Sequence, residues 1–290
     1  CCAKMRERLC PSQCCARRTA SKIDSSVSRC CATSKSRPRG RHVRRMLVSM
    51  QPQTVAALLA LNQRFYARFA GDFARTRRTW PPGFVRILPY LQTASNVLDL
   101  GCGNARLLTF LGASKWQGQY DGLDSSENLL VEARAATQAH PQNPAHFIVA
   151  DLYTDSWPQA IRGPYDALVS LAVLHHIPGA MNRRHFLMQC ADLLRPGRHL
   201  IVSTWQFMTS ERLRKRIVPW EAAGIAEADV ESGDYLMGWG EGAPGLRYCA
   251  FIDEPELVDM ATEAGLSCTE TFFSDGHEGN LNLYGVFTAR

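Results

Sequence analysis

Apolar residues return at three- and four-residue steps through Val55, Leu58, Leu59, Leu61, Phe65, Phe69 and Phe73, so residues 54–78 predict one amphipathic helix. Trp80-Pro81-Pro82 stops it, and Gly83–Leu91 predicts a second, shorter helix. From Asn96 the period changes. Short β-rich apolar runs at Asn96–Leu100, Tyr120–Leu123, His146–Val149, Ala167–Leu171 and His199–Trp205 alternate with helical patterns. Those helical patterns cover Ala105–Leu111, Ser126–Gln138 and 182–194, and Arg195-Pro196-Gly197 reads as a turn. Five such strands predict a doubly wound, mostly parallel sheet with helices on both faces. Ligands of these sheets sit at the carboxyl ends of the strands, where strand order reverses.

Past Trp205 the pattern is less regular. A basic helix is expected over Glu211–Val218 and a Gly-rich loop from Gly233 to Gly245. Gly238, Gly240, Gly242 and Gly245 suggest that this loop moves and closes over substrate. Asp253–Ala264 reads as a helix, N-capped by Asp253 with Glu256 three residues on. Ser267–Phe273 and Leu281–Thr288 predict a closing C-terminal β pair.

Charge divides the chain at residue 45. Of 33 Lys/Arg, 13 precede Met46, but only 2 of 27 Asp/Glu do, which leaves residues 46–290 with a net charge of −5. Seven of the 11 cysteines also fall in the first 31 residues. Three readings of residues 1–45 compete. One is a zinc site, for which Cys10-x3-Cys14 lacks a second pair. Another is a basic nucleic-acid arm or a presequence. The third, favoured because periodic apolar pattern begins only after Met46 and Met50, is a segment foreign to the native protein, with Met46 or Met50 as the expected physical start. The expected organisation is a basic, Cys-rich extension over 1–45 and one domain over 46–290, with 206–250 as its acceptor and lid segment. The scattered remaining cysteines suit a reduced cytoplasmic setting. No run of about 18 apolar residues suggests a membrane-spanning helix.

Chemistry concentrates in VLDLGCGNAR, Val97–Arg106. Gly101-Cys102-Gly103 joins the first strand to the first crossover helix, and Ala105 stands where a dinucleotide fingerprint would carry its third glycine. A strand–Gly-x-Gly–helix unit aims backbone N–H groups at a polar ligand. Asp124 ends the second strand, where it either reaches a ribose diol or caps the next helix with Glu127. Asp151 ends the third, where a carboxylate can accept from an adenine amino group. Asp99 sits in the first turn, suited to orienting the loop and holding an ammonium.

Gly101, Asp124, Asp151 and Ser170 at consecutive strand ends, with VLDLGCGNAR, GLDSSENLL, ADL, YDALVSLAVLHHI and LLRPGRHLIVST, make the chain resemble the S-adenosylmethionine (SAM) methyltransferases of the Rossmann-like class. The resemblance runs from about Arg64 to Arg290. It implies SAM as cofactor, held by Asp99, Gly101, Cys102, Gly103, Asp124, Ser125, Asp151, Leu152, Ser170 and Leu171. A narrower resemblance rests on FYARFAGDFARTRRTWPPGF, GCGNAR, SLAVLHHI, IVPW, DYLMGW and GLRYCAF. These are similar to the tRNA wobble-uridine carboxymethyl methyltransferases. That branch implies Tyr66, Thr76, Arg77 and Trp80 as a lid over SAM, with Arg77 near its carboxylate. The chain departs from the branch at Arg247-Tyr248-Cys249-Ala250, where a His is usual after Arg-Tyr-Tyr. It departs again at Gly279–Tyr284, where a Trp pair is missing.

His175 and His176 follow the fourth strand and are the candidates for a catalytic base, one of them at most facing the donor if the stretch is extended. No third ligand at suitable spacing supports a metal. Trp205, Trp220, Arg247 and Tyr248 are the expected acceptor contacts. The acceptor is a tRNA or a small-molecule carboxylate or hydroxyl, with the identity of any accessory protein open. A SAM-binding module without catalysis is the alternative outside the enzyme class.

Overall fold

The computed structural model describes residues 50–290 except 77–78, 139 and 241–244; of residues 70 and 72–76 it describes the backbone alone. Helix α1 (Pro52–Thr76) and helix α2 (Pro82–Leu91) precede the sheet. Strand β1 (Asn96–Leu100), helix α3 (Arg106–Ala113), strand β2 (Gln119–Asp124), helix α4 (Glu127–Thr137) and strand β3 (Ala145–Val149) form the first half. Strand β4 (Tyr165–Leu171), helix α5 (Ala180–Asp192) and strand β5 (Leu194–Trp205) form the second. Helix α7 (Glu254–Glu263) and strands β9 (Leu266–Ser274) and β10 (Asn282–Ala289) close the fold after a smaller insert described below.

Seven strands lie in the order β3-β2-β1-β4-β5-β10-β9, with β10 antiparallel to both neighbours. The chain walks outward from β1 to β3, then returns to place β4 against the other side of β1. The switch point lies between β1 and β4, where Gly101 and Ala172 leave their strands. β1 and β4 are almost wholly buried because both faces are covered. Val97, Ala167, Val169 and Ile201 pack towards α2, α3 and Trp116. Leu98, Leu100, Leu168, Leu200 and Val202 pack on the other face with α5 and α7. Pleat alternation alone produces this division.

Three expectations are corrected. The turn expected at Arg195-Pro196-Gly197 lies within β5, as a bulge. Leu194 pairs with Tyr165, and pairing resumes at His199 opposite Ala167. The basic helix is shorter than expected. Helix α6 (Glu211–Arg214) is a single turn, and Ile217–Val218 becomes strand β6, the residue before Pro219 being pushed to extended backbone. Third, the Gly-rich segment is not a loop. Strands β7 (Asp234–Trp239) and β8 (Gly245–Ala250) form an antiparallel hairpin that pairs with β6.

Gly238 and Gly245 bring this hairpin close to neighbouring segments, while Gly242 of the expected mobile loop lies outside the described residues. A Cβ at Gly245 would lie 2.6 Å from the Phe69 ring of α1. The Gly238 N–H donates to the Arg216 carbonyl at 2.8 Å, where the backbones of two segments meet. Helix α1 is fastened to the outer edge of β8 by Asn62, which is fully buried. Its Oδ1 accepts from the Tyr248 N–H at 2.7 Å, and its Nδ2 donates to the Tyr248 carbonyl at 3.3 Å. The side-chain amide thus does for this strand edge what a neighbouring strand would do.

Candidate active site

A cleft of about 870 Å³ opens over the carboxyl ends of β1, β2 and β4. One end is made of backbone and carboxylates. Gly101 and Gly103 line it with φ of 79° and 55°, left-handed values that strain any residue with a Cβ. The reasons for glycine differ between them. At Gly101 a Cβ would fall 2.3 Å from Val173 Cγ2, so a side chain of the protein itself is the obstacle. At Gly103 a Cβ would stand in the cleft, its nearest neighbour Leu129 Cδ1 at 4.0 Å. Ala105 accepts the same strain, with φ 58°, so the third glycine's conformation is kept without the glycine.

Asp124 Oδ2 accepts from the Gly103 N–H at 2.8 Å, and its Oδ1 accepts from the Ser126 N–H at 2.9 Å. The cap of α4 is Ser126, whose Oγ accepts from the Leu129 N–H at 3.4 Å, so the capping role weighed for Asp124 belongs elsewhere. Asp124 lines the cleft and holds the glycine turn in shape. Burial raises its pKa, opposed by the backbone hydrogen bonds that favour the anion. Asp99 is buried below the turn and accepts from the Tyr120 hydroxyl. Burial pushes its pKa up to about 7, the Asp124 charge adding to the rise and the Tyr120 hydrogen bond opposing it. Burial likewise pushes the Cys102 thiol up, with Asp99 and Asp124 adding to it, so it stays protonated and acts as a small residue in a tight turn.

The structure gathers most of the predicted cofactor residues and leaves two aside. Asp99, Gly101, Cys102, Gly103, Asp124, Ser125, Leu152, Leu171 and Tyr66 all line the cleft. Asp151 does not. Its carboxylate accepts from Gln63 Nε2 at 3.1 Å and from the Tyr153 N–H at 2.9 Å, while Ala150, Leu152 and Tyr153 take the lining positions. Ser170 is fully buried inside β4, and alternation gives the lining position to Leu171. Arg77 lies outside the described residues, as does the side chain of Thr76. Trp80 stands at the cleft's rim, edge-on to Phe110 at 5.5 Å.

The backbone end fits SAM. Left-handed glycines carry no side chain into the space, a buried carboxylate is available to an ammonium, and Leu129, Leu152 and Val173 supply apolar walls. Asp124 is placed as a ribose acceptor would be, at the end of the strand beside β1.

The other end is aromatic and cationic: Trp205, Trp239, Arg212, Arg216 and Arg247 line it. His175 and His176 lie between the two ends. They occupy a 3₁₀ turn (Leu174–His176), not extended chain, so both line the cleft. The expectation that only one could face it is corrected by that turn. His176 Nδ1 donates to the Tyr248 carbonyl at 3.0 Å, which leaves Nε2 to accept from the Tyr66 hydroxyl at 2.6 Å. His175 Nδ1 accepts from the Trp205 N–H at 3.3 Å. A neutral His175 therefore carries its proton on Nε2 and is placed to donate.

Of the four expected acceptor contacts, Trp205 and Arg247 line the cleft, and Trp220 and Tyr248 are corrected to core residues. The Tyr248 hydroxyl donates to Asp234 Oδ1 at 2.6 Å and accepts from Arg183 Nη1 at 3.1 Å. Arg247 and Tyr248 are neighbours on one strand, so only one could face the cleft. Trp239 falls within the expected acceptor segment but was not singled out, because its stretch was read as loop. The short apolar run Tyr235-Leu236-Met237 was the strand signal that could have found it.

The family model of the methyltransferase domain matches residues 73–271. The chain is 34% identical over 142 residues to the tRNA (carboxymethyluridine(34)-5-O)-methyltransferase ALKBH8 of Macaca fascicularis, spanning 48% of this chain and 19% of that protein. A putative methyltransferase of Encephalitozoon cuniculi is 28% identical over 204 residues, covering 70% of this chain and 85% of its own length. The fold is that of solved SAM-dependent methyltransferases. One from Methanosarcina mazei has a TM-score of 0.56 at 21% identity, over 70% of this chain and 96% of its own. The 1,6-didemethyltoxoflavin-N1-methyltransferase of Burkholderia thailandensis has a TM-score of 0.57 at 16% identity, over 82% and 90%. With the glycine turn, the two carboxylates and the switch-point cleft in place, the chain belongs to the methyltransferase domain family, as a SAM-dependent enzyme of the Rossmann-like class.

Proposed function

We propose that this enzyme methylates a carboxylate oxygen, and that the carboxylate is a carboxymethyl group on the wobble uridine of a tRNA. The observation that carries the reading is the pairing, in one cleft, of a cofactor end with an acceptor end lined by Arg212, Arg216 and Arg247. An anionic acceptor is drawn to that end. A carboxylate also matches the histidines. It arrives ionised, so no base is needed, and both ring nitrogens of His176 are already engaged by Tyr66 and Tyr248.

SAM, when bound, supplies an electrophilic methyl group on a sulfonium. Asp99, Gly101, Gly103 and Asp124 would hold that donor, and an ionised carboxylate acceptor would take the methyl group on oxygen with no proton to remove. The protein's part is alignment and exclusion of water. Asp124 keeps the glycine turn in its binding shape, and the ladder of Tyr66, His176 and Tyr248 fixes the wall between the two ends.

The Macaca fascicularis relative, named as a tRNA carboxymethyluridine methyltransferase, supports the choice of acceptor; the chain spans 19% of that protein's length. Residues 46–290 are net acidic, so RNA affinity would rest on local cations. Arg212, Arg214, Lys215 and Arg216 form such a cluster on and just after α6, and two of them, Arg212 and Arg216, line the cleft's acceptor end. The test is methyl incorporation from labelled SAM, offered cellular tRNA and a small-metabolite extract separately. Label in nuclease-sensitive material is expected. Label confined to the small-molecule fraction would overturn the tRNA acceptor, and label in neither would overturn the enzyme reading.

A further inference from the structure

Arg247 occupies an unusual position for a guanidinium. It is only 6% exposed, yet it lines the cleft. Among the described residues, three aromatic rings surround its Cζ: Trp205 with its centroid at 4.6 Å, Phe65 at 5.1 Å and Trp239 at 5.7 Å. Each ring comes from a different element, α1, the end of β5 and the end of β7. The box therefore exists only once the hairpin, the central sheet and α1 have been assembled. Phe65 is packed edge-on to Trp239 at 6.2 Å, which fixes two walls relative to each other. Arg216 shares the Trp239 wall, its Cζ 5.5 Å from the ring centroid.

Ring faces attract a guanidinium by their quadrupole and hold its plane. They take little from its N–H groups, which lie in that plane and form a fork matched to a carboxylate. A long side chain ordinarily loses rotamer entropy when it engages a ligand. Here the walls have already imposed that order.

We propose that Arg247, fixed by the Phe65–Trp205–Trp239 box, is the specificity residue that takes the acceptor's carboxylate and distinguishes it from the corresponding primary amide. The inference rests on the carboxylate reading above and extends it to one residue and one discrimination. An amide of equal shape offers the fork one acceptor oxygen in place of two and brings no charge. Arg212 and Arg216 serve the remaining anionic groups of the acceptor without distinguishing acid from amide.

The experiment uses two RNA oligonucleotides that differ only in carrying a carboxymethyl or a carbamoylmethyl group on one uridine. Methyl transfer to the acid oligonucleotide is measured first with the wild-type chain. Binding of both oligonucleotides is then measured for wild type, Arg247→Gln and Arg247→Lys in the presence of S-adenosylhomocysteine. Wild type is expected to favour the acid by about tenfold or more, the scale of a charge-assisted hydrogen bond. Arg247→Gln should abolish that preference while S-adenosylhomocysteine binds as before. Arg247→Lys, which keeps the charge and loses the planar fork, should fall between. An unchanged preference in Arg247→Gln, alongside wild-type turnover of the acid, overturns the inference and leaves the carboxylate reading intact. If the wild type does not methylate the acid oligonucleotide, that reading itself has failed. Should Arg247→Gln lose S-adenosylhomocysteine binding, Arg247→Lys decides: a preference equal to wild type overturns the role given to the fork.

Discussion

The two ends of the cleft are built on different principles. The cofactor end is made of strand ends and one short turn, with the Asp99 and Asp124 carboxylates and the apolar walls Leu129, Leu152 and Val173 all within a strand or close behind one in sequence. The acceptor end is made of side chains from elements far apart in sequence: α1, the end of β5, α6 and the β7–β8 hairpin. A local motif can specify the first. The second exists only through tertiary packing, such as Asn62 on α1 pairing with Tyr248 on β8, 186 residues away. A turn of this kind can be kept while its acceptor end is rebuilt, which is one physical reason why a single fold serves many acceptors.

The largest separation between the ends should come from Gly101→Ala. The substitution combines a left-handed φ with a 2.3 Å approach to Val173. Strain of about 1–3 kcal/mol is expected before the clash is counted. SAM affinity should drop by at least tenfold in calorimetry, and acceptor binding should change far less. Retained SAM affinity would mean that the turn adapts and does not determine this end.

Asn62→Ala probes the other end. It strips the Tyr248 N–H of a buried partner and should cost about 1–3 kcal/mol in denaturant unfolding. In the folded fraction the acceptor KM should rise while the SAM KM holds. Equal effects on both would dissolve the distinction between the ends.

Gly103→Ala sharpens the comparison from within the cofactor end. The strain there has no steric clash beside it, so a smaller loss of about 1 kcal/mol is expected. If Gly103→Ala were worse than Gly101→Ala, the explanation through Val173 would be wrong.

A last prediction concerns pH and bears on stability alone. Asp99 has its pKa raised by burial from the usual 3.8 to about 7. Its folded-state value stands above its unfolded one, so its contribution to stability is complete below the unfolded value and declines as pH rises through the folded value. Unfolding midpoints of the SAM-free protein should therefore fall more steeply between about pH 4 and pH 7 in wild type than in Asp99→Asn. Parallel curves would show that Asp99 ionises without cost in the fold.

The sequence discloses the central sheet because periodicity and turn chemistry are local. Strand positions agree within a residue or two at β1, β2, β3 and β4, and Asp253 caps α7 as expected, accepting from the Glu256 N–H at 2.9 Å. It misled where glycine had two meanings. In the 233–245 segment, Gly238 and Gly245 permit strands and rings to approach, a property of neighbours that the segment itself does not show. For the same reason Trp239 was missed and Tyr248 assigned to the wrong side of its strand. Asp151 and Ser170 sit where the strand-end spacing puts them, but hydrogen bonding and pleat direction turn their side chains away from the cleft lining.

The central claim is that the cleft joins a methyl donor to an acceptor carboxylate. Its most direct test is the chemical nature of the bond formed. tRNA labelled from methyl-tritiated SAM by this enzyme should release its label as methanol under mild alkali, as an ester must. Label that survives alkali would show methylation at nitrogen, carbon or a hydroxyl, and would contradict the role assigned here to the arginine-lined end.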